Sequence, residues 1–155
     1  MVDERFRFST TLEVRWRDVD AMGHVNNAVY FSYLEQARLH YLRKLGFTPA
    51  RPTDIGIIIA EASCQYRSPL ALSEQVTIYA RVSALRKSSF FLEYHLHGGD
   101  GRLVATAHTV QVCYDYTYGR PIPIPDPWRA AITTYEPGLW PATTIDQRRR
   151  VHDDP

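Results

Sequence analysis

The stretch VRWRDVDAMGHVNNAVYFSYLEQAR, running from Val14 to Arg38, decides how the chain is organised. It ends an alternating run in which Phe6, Phe8, Leu12, Val14 and Trp16 fall at even positions, the period of a half-buried strand. Arg17 to Asn27 breaks that period with acids and Gly23 and reads as a loop. From Ala28 the spacing changes to threes and fours. Tyr30, Tyr33, Leu34, Ala37, Tyr41, Leu42 and Leu45 form a wide apolar stripe, which predicts a helix of roughly eighteen residues. Asn26 or Asn27 is suited to cap its start and Gly46 to stop it.

Working outward, a loop containing Pro49 and Pro52 leads to four strand candidates. These are Ile55 to Tyr66, closed by Arg67-Ser68-Pro69; Gln75 to Leu85; Ser89 to His97; and Leu103 to Tyr116. The Gly98-Gly99-Asp100-Gly101 run between the last two is a hairpin turn signal. Strand, long helix and then four strands give an α+β class, with a helix packed on an antiparallel sheet. Beyond Gly119, prolines at 121, 123, 125 and 127 predict an extended segment laid against the surface, then a short helix from Trp128 to Thr134. Residues 1–135 are expected to form one domain, and 136–155, ending in Gln147-Arg148-Arg149-Arg150, an extended or mobile tail.

Length and composition narrow the function. At 155 residues the chain is long enough for a core that needs neither disulfides nor metal. A net charge of +1 with no basic face leaves no electrostatic footprint for nucleic acid. No apolar run approaches the length of a membrane span, and no signal region follows the charged N-terminus, so a cytoplasmic protein is expected. Cys64 and Cys113 stand apart, outside any metal-ligand spacing, in strand-like runs where a thiol acts as an apolar filler. His95 and His97 alternate on one strand face but lack a third ligand, so no metal site is assigned.

The chemistry sits between Asp18 and Tyr30. Two acids, Asp18 and Asp20, precede a glycine turn and the first N–H groups of a helix, which lack intrahelical partners. A carbonyl oxygen held there would meet hydrogen-bond donors and the positive end of the helix dipole. A nearby aspartate could attack that carbonyl or deprotonate a water. Gly23 would bend the chain sharply or let a ligand approach the backbone. The local pattern alone favours an Asx-turn or helix cap with no catalysis, and His24 has no partners that complete a nucleophile–base–acid set.

The run from Arg17 to Tyr30, continued by Leu34-Glu35-Gln36-Ala37-Arg38, resembles the signature of the 4-hydroxybenzoyl-CoA thioesterase family of hotdog-fold proteins. The likeness extends through Tyr66-Arg67-Ser68-Pro69 and Arg86-Lys87-Ser88-Ser89 to about Tyr116, roughly three quarters of the chain. It implies a long central helix wrapped by a five-stranded antiparallel sheet. It also implies subunits paired edge to edge as homodimers or homotetramers, with active sites at the dimer interface. The implied reaction is hydrolysis of an acyl-CoA or acyl-carrier-protein thioester without a metal. No cofactor is implied, because coenzyme A enters as part of the substrate.

By the same resemblance, Asp20 aligns with the catalytic carboxylate, as nucleophile or general base, and the backbone N–H near Asn27 with the oxyanion donor. Asp18 becomes a turn or supporting residue, and Tyr30 lines the pocket. Gly23 and His24 join Tyr30 as substrate-binding candidates. Arg67, Arg86 and Lys87 are candidates for the CoA phosphates, with Ser88 and Ser89 suited to contacts across the interface; solvated surface charge is the alternative for each cation. Asn27 departs from subgroups that carry Tyr or His at this position, since an amide side chain is neither acid nor base at neutral pH. That departure keeps two other functions open: a binding protein for acyl thioesters with weak or no catalysis, and a hotdog dehydratase or hydratase, for which His24 is the nearest histidine. Glu35 and Arg38, three apart on the helix, are spaced to pair.

Overall fold

The computed structural model describes residues 2–47 and 55–139. Strand β1 (Phe8–Glu13) places Phe8, Thr10 and Leu12 inward and Ser9, Thr11 and Glu13 outward, as the even-numbered alternation requires. The alternation does not extend to Trp16. The chain turns into a 3-10 helix over Trp16–Asp18, and the Trp16 ring is 82% exposed. Once the backbone leaves the extended conformation, even spacing no longer means one face.

Helix α1 (Val29–Lys44) has 16 residues and turns Tyr30, Tyr33, Leu34, Ala37 and Tyr41 into the core. Its first turn begins at Ala28, which offers no side-chain cap; Asn26 acts one step earlier, its Oδ1 accepting the Ala28 N–H over 2.9 Å. Gly46 ends the helix at φ +85°. The Gly46 and Phe47 N–H groups reach back to the Arg43 and Leu42 carbonyls at 2.9 and 2.8 Å, a pairing that only a left-handed residue allows. No ion pair joins Glu35 and Arg38; the charge of Arg38 instead acts on the buried Tyr94 phenol, whose hydroxyl lies 3.0 Å from Thr109 Oγ1.

Strands β2 (Ile55–Tyr66), β3 (Gln75–Leu85), β4 (Ser89–Gly98) and β5 (Leu103–Asp115) follow, joined antiparallel in the order β1-β3-β4-β5-β2. A two-residue β6 (Arg120–Pro121) pairs with β5, a sixth strand beyond the five expected. Helix α1 packs against β1, β2 and β3. Its apolar stripe meets Val76, Ile78, Ala80 and Val82 of β3 and Leu92, Tyr94 and Leu96 of β4 in one core. Strand β2 lies at the end of the sheet opposite β1, so one of its edges faces no other strand among the described residues.

The proline-rich segment is pinned rather than merely laid on the surface. Its prolines have no N–H, but the intervening Ile122 and Ile124 donate to the Cys113 and Lys87 carbonyls at 3.0 and 2.8 Å, and Ile124 is buried. Helix α2 spans Asp126–Tyr135, longer at both ends than the Trp128–Thr134 expected, with Pro127 in its first turn, where a missing N–H costs nothing. Glu136, counted with the tail in the sequence, is buried against β3. The Pro49–Pro52 loop and the arginine run at 148–150 lie outside the described residues. No helix among the described residues is long and apolar enough to cross a membrane.

Candidate functional site

The loop between β1 and α1 separates its two acids. Asp18 is 2% exposed and takes hydrogen bonds from the Arg15 N–H (2.9 Å), the Arg15 guanidinium (3.1 Å) and the Tyr33 phenol (2.8 Å). Burial pushes its carboxyl up, but these donors together outweigh it and hold the group below the usual carboxylate range. The Asp18 carbonyl in turn accepts the Asn26 N–H at 2.9 Å, which fixes where the helix entry begins. Asp18 is a strut.

Asp20 stands in a different environment. One carboxylate oxygen accepts the Met22 N–H at 2.9 Å, an Asx-turn, while the Asp20 carbonyl takes the Gly23 N–H at 3.0 Å. Gly23, at φ +83°, closes this tight turn in a conformation that favours glycine. The turn is held from outside by two short antiparallel contacts, Val19 with Val25 and His24 with Ala71. Asp20 therefore forms a turn and also faces solvent, half-buried at the edge of a cleft.

That cleft, of about 440 Å3, is lined by Asp20, His24, Val25, Asn27, Tyr30, Tyr66, Arg67, Ser68 and Pro69. No group among the described residues accepts the Asn27 backbone N–H, whereas the Asn27 carbonyl accepts the Tyr66 phenol at 2.8 Å. Tyr30 is buried behind it, its ring edge-on to Tyr66 with centroids 4.9 Å apart, and burial pushes its hydroxyl up to about 12. The Tyr30 phenol is thus neutral at physiological pH and serves only as a hydrogen-bond donor or acceptor. Arg67 brings a cation to the rim, its guanidinium 2.9 Å from Gln65 Oε1.

Six of the candidates named from the sequence therefore meet or border one cleft: Asp20, His24, Asn27, Tyr30 and Arg67 line it, and Gly23 shapes its turn. Lys87 and Ser88 do not join them within the chain. Ser89 pairs with Val112, while Tyr66 pairs with Ala105, seven residues away along β5 or roughly 23 Å at ~3.3 Å per residue. The cleft also includes Val25, Ser68 and Pro69, which were not among the expected site residues. Ser68 and Pro69 read chiefly as a strand terminator, yet the turn they make carries the backbone past the helix entry, where the Val25 N–H donates to the Leu70 carbonyl at 3.0 Å.

The two strand histidines are occupied elsewhere. The His95 ring packs on Phe6 with centroids 4.7 Å apart, and burial lowers its pKa. His97 Nδ1 lies 3.0 Å from the Gly101 carbonyl. Among the described residues, no three His, Cys, Asp or Glu side chains gather as metal ligands.

Known proteins resemble this chain in sequence and fold. The profile of the thioesterase-like superfamily matches residues 14–132. The long-chain acyl-CoA thioesterase FadM of Escherichia coli (strain K12) is 32% identical over 108 residues, which are 68% of this chain and 82% of that protein. Among solved structures, the BH1999 gentisyl-coenzyme A thioesterase superposes with a TM-score of 0.75 at 31% identity, over 81% of this chain and 99% of that one. A thioesterase from Thermus thermophilus, complexed with coenzyme A and Zn, gives 0.74 at 31% identity, over 85% and 96% of the two chains.

Proposed function

This chain belongs to the thioesterase-like superfamily, and from that membership we propose that it hydrolyses acyl-CoA thioesters, with acyl-carrier-protein thioesters as the alternative carrier. The observation that carries the reading is the shared cleft of the Asp20 carboxylate and the unengaged Asn27 N–H at the start of α1. The fold fits it, with α1 packed on the antiparallel sheet as a hotdog arrangement requires. FadM is named for long-chain acyl-CoA and BH1999 for gentisyl-CoA, so relatives with this fold handle quite different acyl groups.

As a general base, Asp20 takes a proton from a water while the water oxygen attacks the thioester carbonyl. The resulting oxyanion is held by the Asn27 N–H and the positive end of α1. Collapse of the tetrahedral species breaks the C–S bond, and the proton on Asp20 passes to the leaving thiolate. As a nucleophile, Asp20 attacks the carbonyl directly; the resulting anhydride is then opened by water, and the thiolate takes its proton from solvent. The Asn27 side chain supplies no acid or base in either route.

The open edge of β2 suits pairing with a second copy as a homodimer, with tetramers built from such pairs. An antiparallel pair would carry the second copy's Lys87 and Ser88 toward this cleft and its Arg67, where the phosphates of coenzyme A would lie. A cytoplasmic setting fits two free thiols at Cys64 and Cys113.

The test is thiol release from a panel of acyl-CoAs. Asp20→Asn keeps an acceptor for the Met22 N–H but removes the base, and should cost at least ~10²-fold in kcat. Full activity in that variant would overturn the assignment. Single turnover in ¹⁸O-water identifies the nucleophilic route when label enters Asp20, which happens only where water opens the anhydride at the Asp20 carbonyl; trapping the anhydride with hydroxylamine covers opening at the acyl carbon. Tight acyl-CoA binding without turnover across the panel would favour the binding-protein reading that the Asn27 amide motivates.

A further inference from the structure

Tyr66 ends β2 and faces the helix entry. Its phenol donates to the Asn27 carbonyl at 2.8 Å, and its ring rests edge-on against Tyr30. In a helix starting here, the Asn27 carbonyl would ordinarily accept the N–H of Phe31. That N–H is drawn instead to the Ala28 carbonyl at 3.2 Å, and the Asn27 carbonyl is turned out toward the phenol. The neighbours of Asn27 are fixed independently: Asn26 N–H on the Asp18 carbonyl, Ala28 N–H on Asn26 Oδ1, and Val29 N–H on the Asn26 carbonyl. Among the described residues, the phenol is the only hydrogen-bond partner of Asn27 itself.

The consequence concerns the direction of the Asn27 N–H. Without the phenol, only the Ala28 N–H bond to Asn26 Oδ1 restrains the Asn27–Ala28 peptide plane from turning its carbonyl toward Phe31. The Asn27 N–H lies on the adjoining plane, hinged to this one at the Asn27 Cα, so a loosened carbonyl leaves that hinge, and the N–H it carries, less firmly aimed at the cleft. A donor loses strength steeply as its angle closes toward ~120°. We propose that Tyr66 is a positioning residue for thioester hydrolysis, bracing Asn27 through its carbonyl so that the residue's N–H stays aimed at the developing oxyanion. The proposal rests on the hydrolytic reading of this cleft. Tyr66 acts through Asn27 and needs no contact with the reacting atoms.

Tyr66→Phe tests it, because the ring keeps its packing on Tyr30 while the hydroxyl is lost. Removing an oxyanion donor outright typically costs about 10²–10³-fold; a donor that is present but loosened should cost about tenfold. The loss belongs in kcat, with KM within about twofold, since the contact tightens only in the transition state. A second readout is independent of turnover. The backbone carbonyl and amide resonances of Asn27 should shift in Tyr66→Phe, while those of β3 and β4 stay in place.

Unchanged kcat, unchanged Asn27 resonances, or a loss confined to KM would each overturn the proposal. Turnover that requires Asp20 but ignores Tyr66→Phe removes this proposal alone. Turnover that ignores Asp20→Asn removes the hydrolytic reading, and this inference with it.

Discussion

The Tyr33 phenol donates to Asp18 Oδ2 over 2.8 Å, tying the second turn of α1 to the loop that precedes the helix. The two acids of Asp18-Val19-Asp20 thereby acquire opposite roles. Asp18 spends its lone pairs on Tyr33 and Arg15, whereas Asp20 keeps one oxygen free of any hydrogen bond from the described residues.

Asp18→Ala should therefore lower stability while leaving Asp20 chemically intact. It strands the Tyr33 hydroxyl in a buried setting and the Arg15 N–H in a part-buried one, for a cost of about 2 kcal/mol; the Arg15 guanidinium is open to water, and its own share is screened. The pH dependence has a definite sign. The folded carboxyl lies below its ordinary 3.8, so the unfolded chain takes up the proton first. Its stabilisation is complete above that value and drains as pH falls through the lower folded one. Urea titrations from pH 7 down to pH 2 should show an acid limb in the native protein that is shallower in Asp18→Ala.

Glu136 titrates in the other direction. Its Oε1 accepts both the Tyr41 phenol and the Val82 N–H, the latter at 3.1 Å, beside the bulge between Val82 and Ala84 that interrupts the β3–β4 ladder. Burial raises its carboxyl above 4.5, more than these donors and nearby Arg81 lower it. The contribution is present below pH 4.5 and is lost as pH rises through the raised folded value. Glu136→Gln keeps an acceptor and cannot ionise, so it should flatten that limb and raise Tm at neutral pH. Glu136→Ala leaves the buried Tyr41 hydroxyl without its acceptor and the Val82 N–H with only its 3.4 Å contact to the Tyr41 oxygen, and should cost about 2 kcal/mol. Thermal melts of both variants between pH 4 and 8 provide the check; matching pH profiles in Glu136→Gln and the native protein would contradict it.

These contrasts show where the sequence was legible. The bounds of β2 and β3 are readable because Pro69 and alternating apolar residues act locally, and Gly46 marks the end of α1 because only the left-handed conformation satisfies the last carbonyls. Trp16 misleads because its spacing continues a strand that the backbone has already left. Glu136 has no periodic signal at all: its role arises from a bulge 54 residues earlier in the chain. The cleft was half legible for the same reason. Asp20, Asn27 and Tyr30 share one motif, but the Tyr66 phenol reaches Asn27 across 39 residues, and no spacing rule connects them.

Arg102 offers a test of how the far wall of the cleft is held. Its guanidinium spans Glu74 Oε1 at 2.5 Å, Asp100 Oδ1 at 2.8 Å and the Pro69 carbonyl at 2.6 Å. Glu74 Oε2 accepts the Ala71 N–H at 3.0 Å, so one cation fixes the turn whose Leu70 carbonyl holds Val25. Hydrogen bonding from Arg102 keeps the Glu74 carboxyl below its ordinary 4.5. Arg102→Met retains the apolar stem and removes the fork. Solvent reaches part of this network, so the stability loss should be modest, about 1 kcal/mol, and largest at pH above 4.5, where Glu74 is left ionised without its partner. The wall from Arg67 to Pro69 loosens with it, and KM for acyl-CoA should rise about threefold or more with a smaller change in kcat. Arg102→Lys should recover little of this, because a single ammonium cannot bridge a carboxylate and the Pro69 carbonyl with the geometry of a planar fork. A Lys variant with native KM would show that charge alone holds the wall, and the bridging role would be lost.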